Sequence, residues 1–367
     1  MFTPLYIKNI ALKNRIVRSA THAGYADENG FVTDELVDIN QRLARGGVGL
    51  IISGHAFVSP EGQASPRQLG VYSDECIPGL AKLAEAVHRE GSKIFLQIAH
   101  AGCMARKKVS GYDPIGPTKT ENSREANSDD IEKIIVAFQA AANRAEAAGF
   151  DGIQIHAAHG YLLSQFLSPY YNHRTDNYGG SLENRMRLLI QVIQAIRKVV
   201  DSDLPVAVKI NAQDFIENGF TQQEMVATCK ALEEKGIDCI EISGGTIDSG
   251  DLSPIRPGEV TQETEGYYRE AAIQLREGTT LPIILVGGFR SLEMIQTILE
   301  QKIADCVALS RPLIREPNLI DEWKRGRHER ARCISCNQCF RPLMTGRGLY
   351  CVLEKRAEKT VSDYIDE

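Results

Sequence analysis

No apolar run in this chain approaches the roughly 20 residues that a membrane-spanning helix needs. The first residues, MFTPLYIKNIALKNR, lack the charged-then-apolar order of a secretion signal, so a cytoplasmic location is expected. Neither charge sign is in large excess: 42 basic and 48 acidic residues are interspersed for a net charge of -6, which gives no reason to expect nucleic acid or an anionic membrane as partner. Two phosphate-binding fingerprints, G-x-G-x-x-G and G-x-x-x-x-G-K-[ST], are also missing. A dinucleotide-binding doubly wound sheet and a P-loop are thereby disfavoured.

What is present is an alternation. Short, nearly continuous apolar runs at Arg15–Ser19, Val48–Ser53, Lys93–Ile98, Gly152–His156, Val206–Ile210, Cys239–Ser243, Ile283–Val286 and Cys306–Leu309 read as buried parallel strands. Helical patterns fill the gaps at Asp34–Ala44, Ile77–Glu90, Asp129–Ala148, Asn184–Val200, Gln222–Lys235, Glu263–Arg276, Leu292–Glu300 and Asn318–Arg325. Eight such units predict an α/β fold, a (β/α)8 TIM barrel over residues 1–325, with a short C-terminal cysteine-rich extension over 326–367. The charged end, Ala357–Glu367, is expected to fray.

In such a barrel the chemistry sits at the C-terminal strand ends. Those ends carry Ser19–His22, Gly54–Ala56, Gln97 with His100, His156 with His159 and Tyr161, Lys209 with Asn211, Gly287–Phe289, and Ser310 with Arg311. Gly287 and Gly288 permit close backbone approach and Arg311 can pair with a dianion, so the ends of strands 7 and 8 are a candidate phosphate site. Turn geometry alone also explains two glycines. Gln97 offers both a donor and an acceptor, which suits the edge of a polar ring that presents both. Lys209 can stabilise negative charge on a bound ligand, although an ion pair at the rim explains it too.

The longest connection, His156 to Arg185, reads HAAHGYLLSQFLSPYYNHRTDNYGGSLENR, and loops that long inside a compact domain are usually functional. His156, His159 and Tyr161 place two imidazoles and a phenol together, groups able to bond a substrate oxygen and deliver a proton. Two structural histidines and a core tyrosine are the plainer account of an isolated pair.

The surrounding residues shift that balance. HAAHGYL followed by FLSPYYNHRTDNYGGSLENR resembles the Old Yellow Enzyme family, in particular the branch containing 2,4-dienoyl-CoA reductase and trimethylamine dehydrogenase. Asn14-Arg15-Ile16-Val17, the stretch Phe95–Gly102 and the cysteines after Arg332 match the same branch, over about residues 1–355. The resemblance implies FMN held by Ala20, Thr21, Ala56, Gln97, Lys209, Gly287, Gly288, Ser310 and Arg311, with NADH or NADPH as electron donor. It also implies a small-molecule substrate, an enone or enoyl thioester, and self-association into a homo-oligomer. His156 and His159 would hold the substrate carbonyl while hydride passes from the flavin to the β-carbon in a ping-pong cycle, and Tyr161 would protonate the α-carbon. His22 would line the pocket.

Of the nine cysteines, Cys333, Cys336, Cys339 and Cys351 cluster as C-x2-C-x2-C-x11-C. That spacing suits a tetrahedral thiolate site, a [4Fe–4S] cluster or zinc. Cluster-bearing relatives continue into further domains whereas this sequence stops at Glu367, so a cluster would serve a separate electron-transfer protein or act as a staple. Other readings are a flavin-dependent amine dehydrogenase or N-demethylase, an electron-transfer flavoprotein subunit docking through the cysteines, and a flavin-free phosphate-binding barrel.

Overall fold

The computed structural model describes residues 1–357; most of the charged C-terminal stretch lies outside the described residues. Eight parallel strands close into a barrel: β1 (Ile16–Arg18), β2 (Leu50–Ile52), β3 (Lys93–Ala99), β4 (Gly152–Ala157), β5 (Val206–Asn211), β6 (Cys239–Ser243), β7 (Ile283–Val286) and β8 (Cys306–Leu309). Each pairs with the next, β8 returns to β1, and a two-residue strand, Ala56–Phe57, adds to the upper edge of β3. Every strand expected from the sequence forms.

The outer helices are α1 (Asp34–Arg45), α2 (Ile77–His88), α3 (Ser128–Ala147), α4 (Leu182–Arg197), α5 (Gln222–Glu233), α6 (Arg269–Arg276), α7 (Leu292–Glu300) and α8 (Leu319–Lys324). Their starts follow from capping: the Asn127 side chain accepts from the Asp130 N–H and Asp130 answers to the Asn127 N–H, and Thr221 and Glu224 repeat the arrangement. One expectation needs correction. The helix predicted over Glu263–Arg276 begins only at Arg269, because Gly266 turns left-handed at φ 71° and the N–H groups of Gly266 and Tyr267 bond the Gly287 carbonyl. That diversion delivers Tyr267 to the barrel rim.

Inside, the barrel is layered. A hairpin of Leu5–Ile7 and Ile10–Leu12 contributes Ile7 and Leu12 to an apolar lower layer with Val17, Leu50, Phe95, Ala207, Cys239, Ile284 and Cys306. Phe95 fits because position 152 is glycine; a Cβ there would come within 2.6 Å of its ring. Burying a side chain of that size stabilises by about 2–3 kcal/mol. Above this layer the interior-facing residues turn polar: register pairs Gln97 with Gln154, Lys209 with His156, and Lys209 with Glu241. The change from apolar to polar marks the floor of the site.

Candidate active site

The floor is a closed set of hydrogen bonds. Lys209 Nζ lies 2.9 Å from Glu241 Oε1 and 2.8 Å from Ser19 Oγ, and the Ser19 hydroxyl donates to the same carboxylate at 2.6 Å. Gln154 Nε2 donates to the other carboxylate oxygen at 2.8 Å, and Gln97 Nε2 donates to Gln154 Oε1 at 2.7 Å. A carboxylate only accepts, so Glu241 fixes the orientation of both amides in sequence. Glu241 is fully buried and Lys209 nearly so. Glu241 and Gln154 are missing from the sequence-based set of site residues. The available signal was a polar residue at an interior position of an otherwise apolar strand, as in CIEIS and GIQIH.

The wall above it is built of neutral rings. His22, His55 and His156 stack in a row, with centroid separations of 5.2 and 6.2 Å, and Tyr161 stands edge-on to His156 at 4.8 Å. Burial depresses the His22 imidazole to about 4, and burial with His22 alongside depresses His55 to about 3. His156 falls well below 6.5 through burial first, then through His159, His55 and Lys209; His159 falls likewise through burial, Lys209 and His55. The Tyr161 phenol is pushed up to about 12 by burial, so it keeps its proton at neutral pH.

Backbone geometry assembles this wall. His159 takes a left-handed conformation, φ 64°, held by its N–H bonding Asn211 Oδ1 at 3.1 Å and its Nε2 lying 2.7 Å from Ser243 Oγ. The second half of the long loop has a different job. Asn172 Nδ2 bonds the carbonyls of Phe166 and Tyr178, Arg174 those of Pro117 and Ala126, and Arg185 that of Leu167 together with Glu224. The motif NHRTDNYGGSLENR therefore braces the loop, and none of its residues lines the cavity.

Floor and wall enclose a cavity of about 360 Å³. It brings together Ala20, Thr21, His156, His159, Tyr161, Lys209, Gly287, Gly288, Ser310 and Arg311, along with His22 and His55; Ala56 and Gln97 do not line it. Gln97 is buried behind the surface and joins the site through Gln154. Gly288, at φ 77°, has a second reason to be glycine, because a Cβ would meet the Tyr267 ring at 2.3 Å. Arg311 bonds the Arg256 carbonyl and Asn337 Oδ1, both at 2.7 Å, with no carboxylate partner among the described residues. His156 Nδ1 is buried with no hydrogen-bond partner among them. A guanidinium with no carboxylate partner among the described residues, an orphaned imidazole nitrogen and a lysine floor suit a ligand that carries a phosphate and a polar ring. Those residues fit an FMN.

Beside this cavity Cys333, Cys336, Cys339 and Cys351 line a smaller hollow that Arg311 also borders. Burial and the three neighbouring thiols raise the Cys339 thiol to about 11, against the pull of Arg311. Arg290 pins the loop, bonding the Cys333 carbonyl at 2.9 Å and Ser335 Oγ at 2.8 Å. No group of three or more His, Cys, Asp or Glu side chains is placed to hold a metal ion among the described residues. Likewise, no helix among them is long and apolar enough to cross a membrane.

Comparison with known proteins agrees with this geometry. A family model described as NADH:flavin oxidoreductase / NADH oxidase matches residues 1–330. A protein named NADH oxidase from Thermoanaerobacter brockii is 38% identical over 346 residues, 92% of this chain; the chain spans 52% of that protein, about half its length. A solved 2-naphthoyl-CoA reductase complex superposes with TM-score 0.89 at 28% identity, covering 95% of this chain and 56% of that one. An Old Yellow Enzyme homologue from Zymomonas mobilis superposes with TM-score 0.77 at 27% identity, covering 90% of this chain and 94% of the other.

Proposed function

The chain belongs to the NADH:flavin oxidoreductase / NADH oxidase family, that of the Old Yellow Enzymes, and from that premise we propose that it is an ene-reductase. In this reading it spends NADH or NADPH to reduce the activated C=C bond of an α,β-unsaturated carbonyl compound, an enone or an enoyl or dienoyl thioester. The observation that carries the proposal is the neutral wall: His156, His159 and Tyr161 meet on one cavity, uncharged, over a floor that presents the ion-paired Lys209.

An FMN bound in the cavity would supply two-electron chemistry, linking hydride donation by the nicotinamide to hydride addition at the β-carbon. Lys209 would hold negative charge at the floor, kept in place by Glu241 and Ser19. Gly287, Gly288, Ser310 and Arg311 would receive the phosphate end, with Ala20, Thr21, Ala56 and Gln97 as the remaining binding positions. His156 and His159 would turn N–H groups toward the substrate carbonyl; a neutral imidazole does this without needing a counter-ion. Tyr161, whose proton is retained at neutral pH, would protonate the α-carbon.

The same cavity weighs against amine oxidation. A cationic amine is best held by acids and aromatic faces, and no Asp or Glu lines the cavity among the described residues. The cysteine hollow extends the proposal. Cys333, Cys336, Cys339 and Cys351 would, once drawn together, supply the donor set of a [4Fe–4S] cluster, or of zinc, and a cluster there would exchange single electrons with a separate protein. Iron and zinc content of anaerobically purified protein separates the two.

The test is Tyr161→Phe in stopped flow. Reoxidation of the reduced enzyme by an enone should slow by about 100-fold or more, with flavin reduction by NAD(P)H changing far less. Equal losses in both half-reactions would mean that Tyr161 is not the acid.

A further inference from the structure

An acid must aim its proton at the substrate, and the Tyr161 hydroxyl has one hydrogen-bond partner among the described residues, His55 Nε2 at 3.3 Å. Which of the two donates depends on the His55 tautomer, and the tautomer can be traced from the backbone outward. The N–H of Ala64 donates to Gln68 Oε1 at 2.8 Å, and a backbone N–H has no other role. That fixes the amide of Gln68, a fully buried side chain. Its Nε2 therefore faces His55, donating to the His55 carbonyl at 3.2 Å and to Nδ1 at 2.8 Å. Since Nδ1 accepts, a neutral His55 carries its hydrogen on Nε2. Stacking between His22 and His156 holds the ring in this plane.

From this chain of bonds we infer that His55 is a positioning residue: its Nε2–H donates to the Tyr161 oxygen and leaves the phenolic proton directed at the substrate. The inference rests on the reading of Tyr161 as the acid. In the protonation step the Tyr161 O–H bond breaks and a C–H bond forms at the α-carbon, using the enolate electron pair; the hydride already added at the β-carbon originates from NAD(P)H. The O–H electron pair stays on the phenolate oxygen, where the His55 N–H is already in place to stabilise it. His55 does not hand on a proton, because its Nδ1 faces a donor and has no acid to refill it. Tyr161 regains its proton from water on the cavity side.

Two measurements decide this. In the FMN-loaded wild-type protein labelled with 15N-histidine, His55, identified by its loss in His55→Phe, should show the nitrogen shifts of an Nε2–H tautomer. An Nδ1–H tautomer overturns the inference, whatever Tyr161 does. In stopped flow, His55→Phe preserves a stacked ring without the donor, and should slow enone reduction by about ten- to a hundredfold relative to flavin reduction. If Tyr161→Phe slows enone reduction and His55→Phe does not, the positioning role of His55 fails and the ene-reductase reading stands. If Tyr161→Phe has no effect either, both fail.

Discussion

Lys209 and Glu241 carry full charges at the floor of the cavity, while His22, His55, His156 and His159 on its wall stay neutral, although all six are withdrawn from bulk solvent. Depth does not separate them; partners do. Lys209 has a carboxylate and a hydroxyl within 2.9 Å, and Glu241 accepts from Lys209, Ser19 and Gln154. The histidines face one another, and His156 stands beside Lys209 in register. A proton on any of them would meet only like charge and no carboxylate. One cavity thus presents fixed charge below and hydrogen-bond donors without charge above, which suits a reaction that develops negative charge on the flavin and the substrate oxygen.

The contrast can be broken most severely from the floor. Glu241→Leu strands a buried lysine and should cost about 3–5 kcal/mol in chemical denaturation, while adding Lys209→Met should recover most of that and abolish tight FMN binding. If Glu241→Leu alone costs nothing, charge pairing does not hold the floor. Acid tests the wall. The buried histidines have folded pKa values below the unfolded value of about 6.5, so the unfolded chain binds protons first and stability is lost as pH falls below that value. His100 and His156, the two most buried, should together remove about 2 kcal/mol between pH 6.5 and 5.5. The half-buried rings of His22, His55 and His159 add less, because solvent screens them. A urea midpoint unchanged over that window would show that the imidazoles take up protons in the folded protein as they do in the unfolded chain. The smallest effect sharpens the comparison: Ser243→Ala removes the 2.7 Å partner of His159 and should cost about 1 kcal/mol, read from the same denaturation curves.

The wall was more legible in the sequence than the floor. His156, His159 and Tyr161 stand close together in the chain, within one loop, and their residue types announce hydrogen-bond and proton chemistry. The floor is assembled from Ser19, Gln97, Gln154, Lys209 and Glu241, on five different strands or strand ends, and only barrel closure shows that they touch. Strand positions were readable because parallel strands covered by helices must be apolar almost throughout. The start of α6 was not, because it is set by a long-range bond from Gly266 to Gly287 that no local pattern encodes. The four cysteines were visible as a spacing, and the hollow they share is a fact of tertiary structure.

His159 illustrates what such a site demands of its chain. A left-handed residue at the end of a strand is naturally glycine or asparagine, and a histidine there is disfavoured by about 1–3 kcal/mol. Directed evolution for heat resistance, with no demand for turnover, should therefore tend to erode this position early. Its persistence through such a selection would serve as an internal control that activity is still being selected.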